Sequence, residues 1–138
     1  MPRHPEDRIL ESATTLVEAT LALDILDTHK RDVINAMLWK ITEARGKYTT
    51  RHRSAGAIAV PKGTKLQHEH VTTRKDLVSA IMNEPSRARE LLRTATGCVV
   101  TIEEHRRLTD ITRKQPDLRG WDRYEAAGIA VIDTDETP

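Results

Sequence analysis

The densest grouping of chemically able side chains is His68-Glu69-His70, with His105 as a further imidazole in a different element. Along a strand alternate residues share a face, so His68 and His70 are expected together and Glu69 opposite, unless a bend at the strand end brings Glu69 round. Two or three imidazoles and a carboxylate suffice to bind a divalent ion and leave one histidine as general base. Taken singly each histidine reads as a surface residue; taken as a set they form a candidate site. A second candidate is Lys47-Tyr48-Thr49-Thr50-Arg51-His52-Arg53-Ser54, where hydroxyls interleave with bases and one aromatic ring, a composition that grips phosphates. The chain has only two Trp, two Tyr and no Phe, which excludes an extended stacking platform. Tyr48, Trp39 and Trp121 are expected to pack, and Cys98, inside an apolar run, is expected to be a buried, inert thiol.

The charge distribution supports a phosphate-contacting surface. The formal net charge is only +1, yet residues 45–75 carry eight bases against one acid, Glu69, for +7, while the segments on either side are each −3. A basic segment between acidic flanks is what a phosphate surface needs, and it is also what a solvated basic loop looks like.

The elements that must position these residues follow from periodicity. Ile9, Ala13, Leu16, Val17, Thr20 and Leu21 recur at helical spacing, and so do Val33, Ile34, Met37, Leu38 and Ile41 after a break at Asp27-Thr28, so a helical hairpin is expected before Gly46. Ala57 to Val60 and Lys65 to Val71 read as two strands around Pro61-Lys62-Gly63-Thr64, a β-hairpin over 56–71. Thr72 or Thr73 offers a cap for a helix lined by Leu77, Val78, Ile81 and Met82, and a further helix is expected from Ser86 to Ala95. Gly97 to Val100 reads as a buried strand. Thr101-Ile102-Glu103-Glu104 is a capping-box sequence that opens a helix with His105 in its first turn. A last helix from Trp121 to Ala127, a strand over 129–132 and an acidic, frayed tail complete the chain.

A strand ending in Glu69-His70-Val71, followed later by Cys98-Val99-Val100-Thr101-Ile102-Glu103-Glu104-His105, resembles the HNH or His-Me finger (ββα-metal) nucleases over about residues 56–110. Thr73 stands where that family commonly has Pro, and Thr96 where it has its middle Asn. The resemblance implies that His70 is the general base and that Glu69 and His105 hold a divalent ion, Mg²⁺ or Mn²⁺ with Zn²⁺ as an alternative; His68, from the same local cluster, is a further candidate ligand. The resemblance also implies hydrolysis of phosphodiester bonds in DNA. Arg45, Lys47, Arg51, Arg53, Arg74 and Arg106 are the candidate nucleic-acid contacts.

The expected fold class is therefore α+β: a helical hairpin over 1–45, a ββα-metal-like core with added helices over 46–133, and a flexible tail over 134–138. The single cysteine excludes an intrachain disulfide framework. No apolar run reaches the roughly 18–20 residues of a membrane span, and Met1 to Asp7 lacks the apolar core of a signal peptide, so a cytoplasmic, membrane-free setting is expected. The alternative function is a non-catalytic regulator or inhibitor that binds nucleic acid or protein, for example in phage–host conflict. The apolar faces of the N-terminal helices are expected to be core, and these helices are also a candidate surface for pairing two copies.

Overall fold

The computed structural model describes residues 5–136. The expectations for residues 1–4 and for the last two residues of the tail lie outside it. In chain order the elements are α1 (Pro5–Leu21), α2 (Asp27–Thr42), β1 (His52–Ser54), α3 (Ala55–Ala59), β2 (Leu66–His70), α4 (Arg74–Asn83), α5 (Ala88–Arg93), β3 (Gly97–Thr101), α6 (Ile102–Lys114), α7 (Trp121–Ala126) and β4 (Val131–Asp133). Short 3₁₀ turns lie at Pro85–Arg87 and Thr134–Glu136. Helix makes up 60% and strand 12%, the strands forming one mixed sheet, so the fold is α+β. No helix among the described residues is long and apolar enough to cross a membrane.

The chain divides into two compact units. The helical unit comprises the residues up to Ala44 together with Thr72–Thr96, so α4 and α5 group with α1 and α2. Its core is the set of apolar stripes expected from periodicity: Val17 of α1, Ile34 and Leu38 of α2, Leu77, Val78 and Ile81 of α4, Ala88 and Leu92 of α5. Each fully buried Val, Leu or Ile contributes ~1.5–3 kcal/mol of transfer free energy. Thr73 caps α4, its hydroxyl accepting from the Asp76 N–H at 3.2 Å.

The sheet unit comprises Arg45–Val71 and the chain from Gly97 onward. Strand order is β2-β3-β1-β4, with β1 parallel to β3 and the other pairs antiparallel. The expected hairpin over 56–71 does not form. Ala55–Ala59 is helix instead, because the Ser54 hydroxyl caps it by accepting from the Ala57 N–H at 2.9 Å, and Ala-rich sequence favours helix once capped. Val60 is extended (φ −75°, ψ 153°), as a residue before proline is steered to be. The partner of β2 is β3, so the antiparallel pair is closed across residues 71–96.

The sheet has two distinct faces. Pairing places Glu69 opposite Cys98, Cys98 beside His52 and His52 opposite Asp133. These four residues form one row across all four strands, on the face covered by α6 and α7. Val71, Cys98, Val100, Leu108, Tyr124, Ala127 and Ile129 make the core there. Gly128, at φ 70°, ends α7 in the left-handed conformation that favours glycine. The Gly128 N–H then bonds the Glu125 carbonyl and the Ile129 N–H bonds the Tyr124 carbonyl, returning Ile129 to the core.

Candidate functional site

Glu69 lies near the end of β2 and His105 in the first turn of α6, and the Glu69 carboxylate and His105 Nδ1 are in direct contact. The pair is close to solvent: the His105 side chain is 39% exposed and that of Glu69 is 16% exposed. In the tautomer with its proton on Nδ1, His105 donates to Glu69 and keeps Nε2 as a proton acceptor, the arrangement by which a carboxylate fixes an imidazole's tautomer.

His68 and His70 lie on the opposite face of the same strand. Both are buried, their rings meet edge to face with centroids 5.3 Å apart, and His68 Nδ1 lies 2.6 Å from the Lys47 carbonyl. The strand end keeps its alternation because Arg123 anchors it: the guanidinium donates to the His70 carbonyl at 3.0 Å and to the Val71 carbonyl at 2.6 Å. Of the four residues in the expected metal and base set, the structure brings Glu69 and His105 together and puts His68 and His70 on the other side. Thr96, at the position of the family's Asn, donates from its hydroxyl to the Thr94 carbonyl.

The foundation under His105 is a buried carboxylate. Glu104 Oε1 accepts from the Ser54 hydroxyl at 2.5 Å and from the Thr101 N–H at 2.9 Å. In return the Thr101 hydroxyl accepts from the Glu104 N–H at 3.1 Å. The expected capping box is thus present and is tied to β1 through Ser54. Gly56 leaves room beside it: a Cβ there would stand 2.9 Å from Glu104 Oε2 and push that carboxylate aside. This Ser54–Glu104 link went unread in the sequence; its one signal was a serine ahead of an Ala-Gly-Ala run.

The candidate nucleic-acid residues are dispersed, and several arginines are engaged. The Arg45 guanidinium meets Asp135 in a fork at 2.7 and 2.8 Å, and Arg51 meets Asp133 in the same way at 2.8 and 2.7 Å. The expected frayed tail is therefore pinned as far as Asp135. Arg51 holds the Asp133 carboxyl down at about 2, and Arg45 holds Asp135 below its ordinary value. Arg53 donates to the Thr50 carbonyl at 3.0 Å, and Lys47 and Arg106 are exposed. Arg74 belongs to the helical unit, where it donates to Asn35 at 2.9 Å and lies over the Trp39 ring.

Next to the Arg51–Asp133 pair is a cleft of about 410 Å³ lined by His52, Trp121, Tyr124, Glu125, Ile129 and others. Trp121, expected to be a core anchor, is 40% exposed here, because its place at the start of α7 puts it at the sheet's edge rather than over its centre. Its ring packs against His52 and Tyr124, each at 5.1 Å between centroids. Burial lowers the His52 pKa, with Asp133 acting the other way. Cys98 is buried as expected, and burial pushes its thiol up to about 12, so it is no nucleophile at neutral pH. The Tyr124 hydroxyl is buried next to that thiol, a weak partner.

Among the described residues no three His, Cys, Asp or Glu side chains gather into a group able to hold a metal ion. Glu69 and His105 alone supply one oxygen and one nitrogen donor. A divalent ion would need further donors from water or a ligand, and His105 Nδ1 would have to leave its hydrogen bond to Glu69 before it could bind one. The chain matches no family model, no curated protein and no solved structure.

Proposed function

We propose that the protein hydrolyses phosphodiester bonds in DNA at the Glu69–His105 pair. The observation that carries this reading is the contact between a carboxylate on strand β2 and an imidazole in the first turn of α6, partly open to solvent. The antiparallel β2–β3 pair followed by α6 is also the strand–strand–helix order of the nucleases that the sequence resembles. When bound, a divalent ion would neutralise phosphate charge and stabilise the leaving oxygen. The chain's own part is to position. The Thr101–Glu104 capping box and Ser54 hold the first turn of α6, and Arg123 holds the end of β2. Without an ion between them, Glu69 orients His105 so that Nε2 accepts a proton from water. His70, facing the other side, is not assigned the base. A cytoplasmic setting accompanies this reading.

Nicking of supercoiled plasmid tests it. Cleavage is expected with Mn²⁺, and its persistence or loss in EDTA separates the imidazole-only route from the metal route. His105→Ala and Glu69→Gln should each reduce cleavage at least ~10²-fold, while His70→Ala leaves most of it. Cleavage that survives His105→Ala ends the proposal. The second reading, a binding protein without catalysis, draws on the separation of His70 from Glu69 and on exposed Leu23, Ile25 and Leu26 between α1 and α2, which suit a protein partner or a second copy. It predicts DNA binding that EDTA and His105→Ala both leave unchanged.

A further inference from the structure

We infer that the cleft at the β1–β4 edge is a nucleotide subsite, taking one unpaired base against Trp121 and its phosphate on Arg51 and Arg45. It extends the phosphodiester reading and depends on that reading for the class of ligand.

Three observations lead there. First, Trp121 is a 40% exposed indole lining a cleft, and an accessible aromatic face stacks a nucleic-acid base with little regard to sequence. His52 and Tyr124 brace the indole from two directions, so little freedom is lost on binding. Glu125, on the same cleft, is an acceptor for an exocyclic amino group such as that of cytosine.

Second, the contacts run unbroken from the ring to a phosphate-sized cation pair. Trp121 packs on His52, His52 Nε2 lies 3.9 Å from Asp133, and Asp133 grips Arg51. Arg51 Nε also lies 3.4 Å from Asp135, which forks onto Arg45. A phosphate offers an arginine the same paired oxygens that Asp135 now supplies. The Asp135 side chain is 38% exposed, so an incoming phosphate can reach the fork and compete with that carboxylate for both arginines.

Third, the cleft shares a sheet face with the reacting pair. Glu69, Cys98, His52 and Asp133 occupy one row. At ~4.8 Å between strands, His52 lies two strand spacings, or roughly 10 Å, from Glu69.

The test uses the full chain carrying Trp39→Phe, so that Trp121 is the only indole, titrated with oligodeoxycytidylate while its fluorescence is followed. Saturable quenching is expected, with oligothymidylate weaker and inorganic phosphate a poor competitor. Trp121→Leu should weaken binding of a labelled oligodeoxycytidylate about tenfold and Trp121→Phe by less. Asp135→Asn should tighten it severalfold. Absence of quenching, or an affinity in Trp121→Leu within twofold of the parent, overturns the subsite. If Trp121→Leu fails to fold by circular dichroism, unchanged affinity in Asp135→Asn does so instead. Plasmid nicking in the same variants tells the two readings apart. Nicking with unchanged KM in Trp121→Leu rejects the subsite and keeps the Glu69–His105 chemistry. Weakened binding with no nicking in any protein rejects that chemistry and keeps the subsite.

Discussion

The two units bury different things. In the helical unit the core cluster is aliphatic throughout. Its buried polar residues include Thr14 and Thr20, whose hydroxyls return to carbonyls four residues back in the same helix, so they add no link between elements. In the sheet unit Ser54, His68, His70, Glu104 and Arg123 are all buried, and the bonds of Ser54, Glu104 and Arg123 run between elements. An apolar core tolerates changes of shape and loses stability in proportion to the volume removed. A polar core is stable only when every member is satisfied, and it fixes geometry in return. The Glu69–His105 pair lies in the unit whose interior is polar.

Three measurements sharpen or break that contrast. The largest effect is expected from Leu38→Ala in α2, where the side chain is fully buried. The loss should be ~2–5 kcal/mol in urea unfolding, with oligonucleotide affinity intact in the folded fraction. A loss of affinity without a loss of stability would show that the helical unit takes part in binding. Next comes Glu104→Ala, which strips the Ser54 hydroxyl and the Thr101 N–H of their acceptor. It should cost ~1–3 kcal/mol and, unlike Leu38→Ala, should also lower cleavage at saturating substrate, because the first turn carrying His105 loosens. Full cleavage in a destabilised Glu104→Ala would mean that the carboxylate supports the fold alone.

The smallest effect concerns the tail. Asp133 has its carboxyl held at about 2 against an ordinary 3.8, chiefly by the Arg51 hydrogen bond. A depressed carboxyl stabilises the folded state fully above its unfolded value, and the contribution fades as pH falls through the folded one. Asp133→Asn should therefore lower the melting temperature slightly at neutral pH. The gap to the parent should narrow from 3.8 downward and close near 2. A gap independent of pH would show that Asp133 acts through β4 pairing rather than through its charge.

Much of this fold is legible in the sequence itself. The helices announced themselves because apolar residues recur at 3–4 spacing over many turns, as in Ile34, Leu38 and Ile41. Thr101 with Glu104 spelled a capping box, and that motif alone placed His105 in a first turn. The strands were harder for a physical reason. β1 is His52-Arg53-Ser54, three polar residues held by neighbours on both sides, so no hydrophobic alternation marks it. Ala57 to Val60 carried the opposite error, an apolar run whose state was decided by one serine hydroxyl. The separation of His70 from Glu69 follows from simple alternation; the allowance for a bend at the strand end is what the Arg123 anchor removes. Nothing local in the sequence indicated that Arg123 would bond the carbonyls of residues 70 and 71. The forks joining Arg45 and Arg51 to the tail span more than eighty residues of chain, beyond the reach of any window.

The β2–β3 register has a consequence for how this chain can change length. His70 and Gly97 stand directly opposite one another, so to the sheet everything between them is a hairpin loop. The closure entropy of a loop rises by only ~0.6 kcal/mol for each doubling of its length, and neither strand has to shift to accommodate a longer or shorter one. Exchanging Thr72–Thr96 for a tight turn would leave the ladder, the Glu69–His105 contact and the Trp121 cleft in register. It would take Leu77, Ile81 and Leu92 from the other core. The junction is permissive on one side and essential on the other, so a graft made there would report on the two halves of the protein separately.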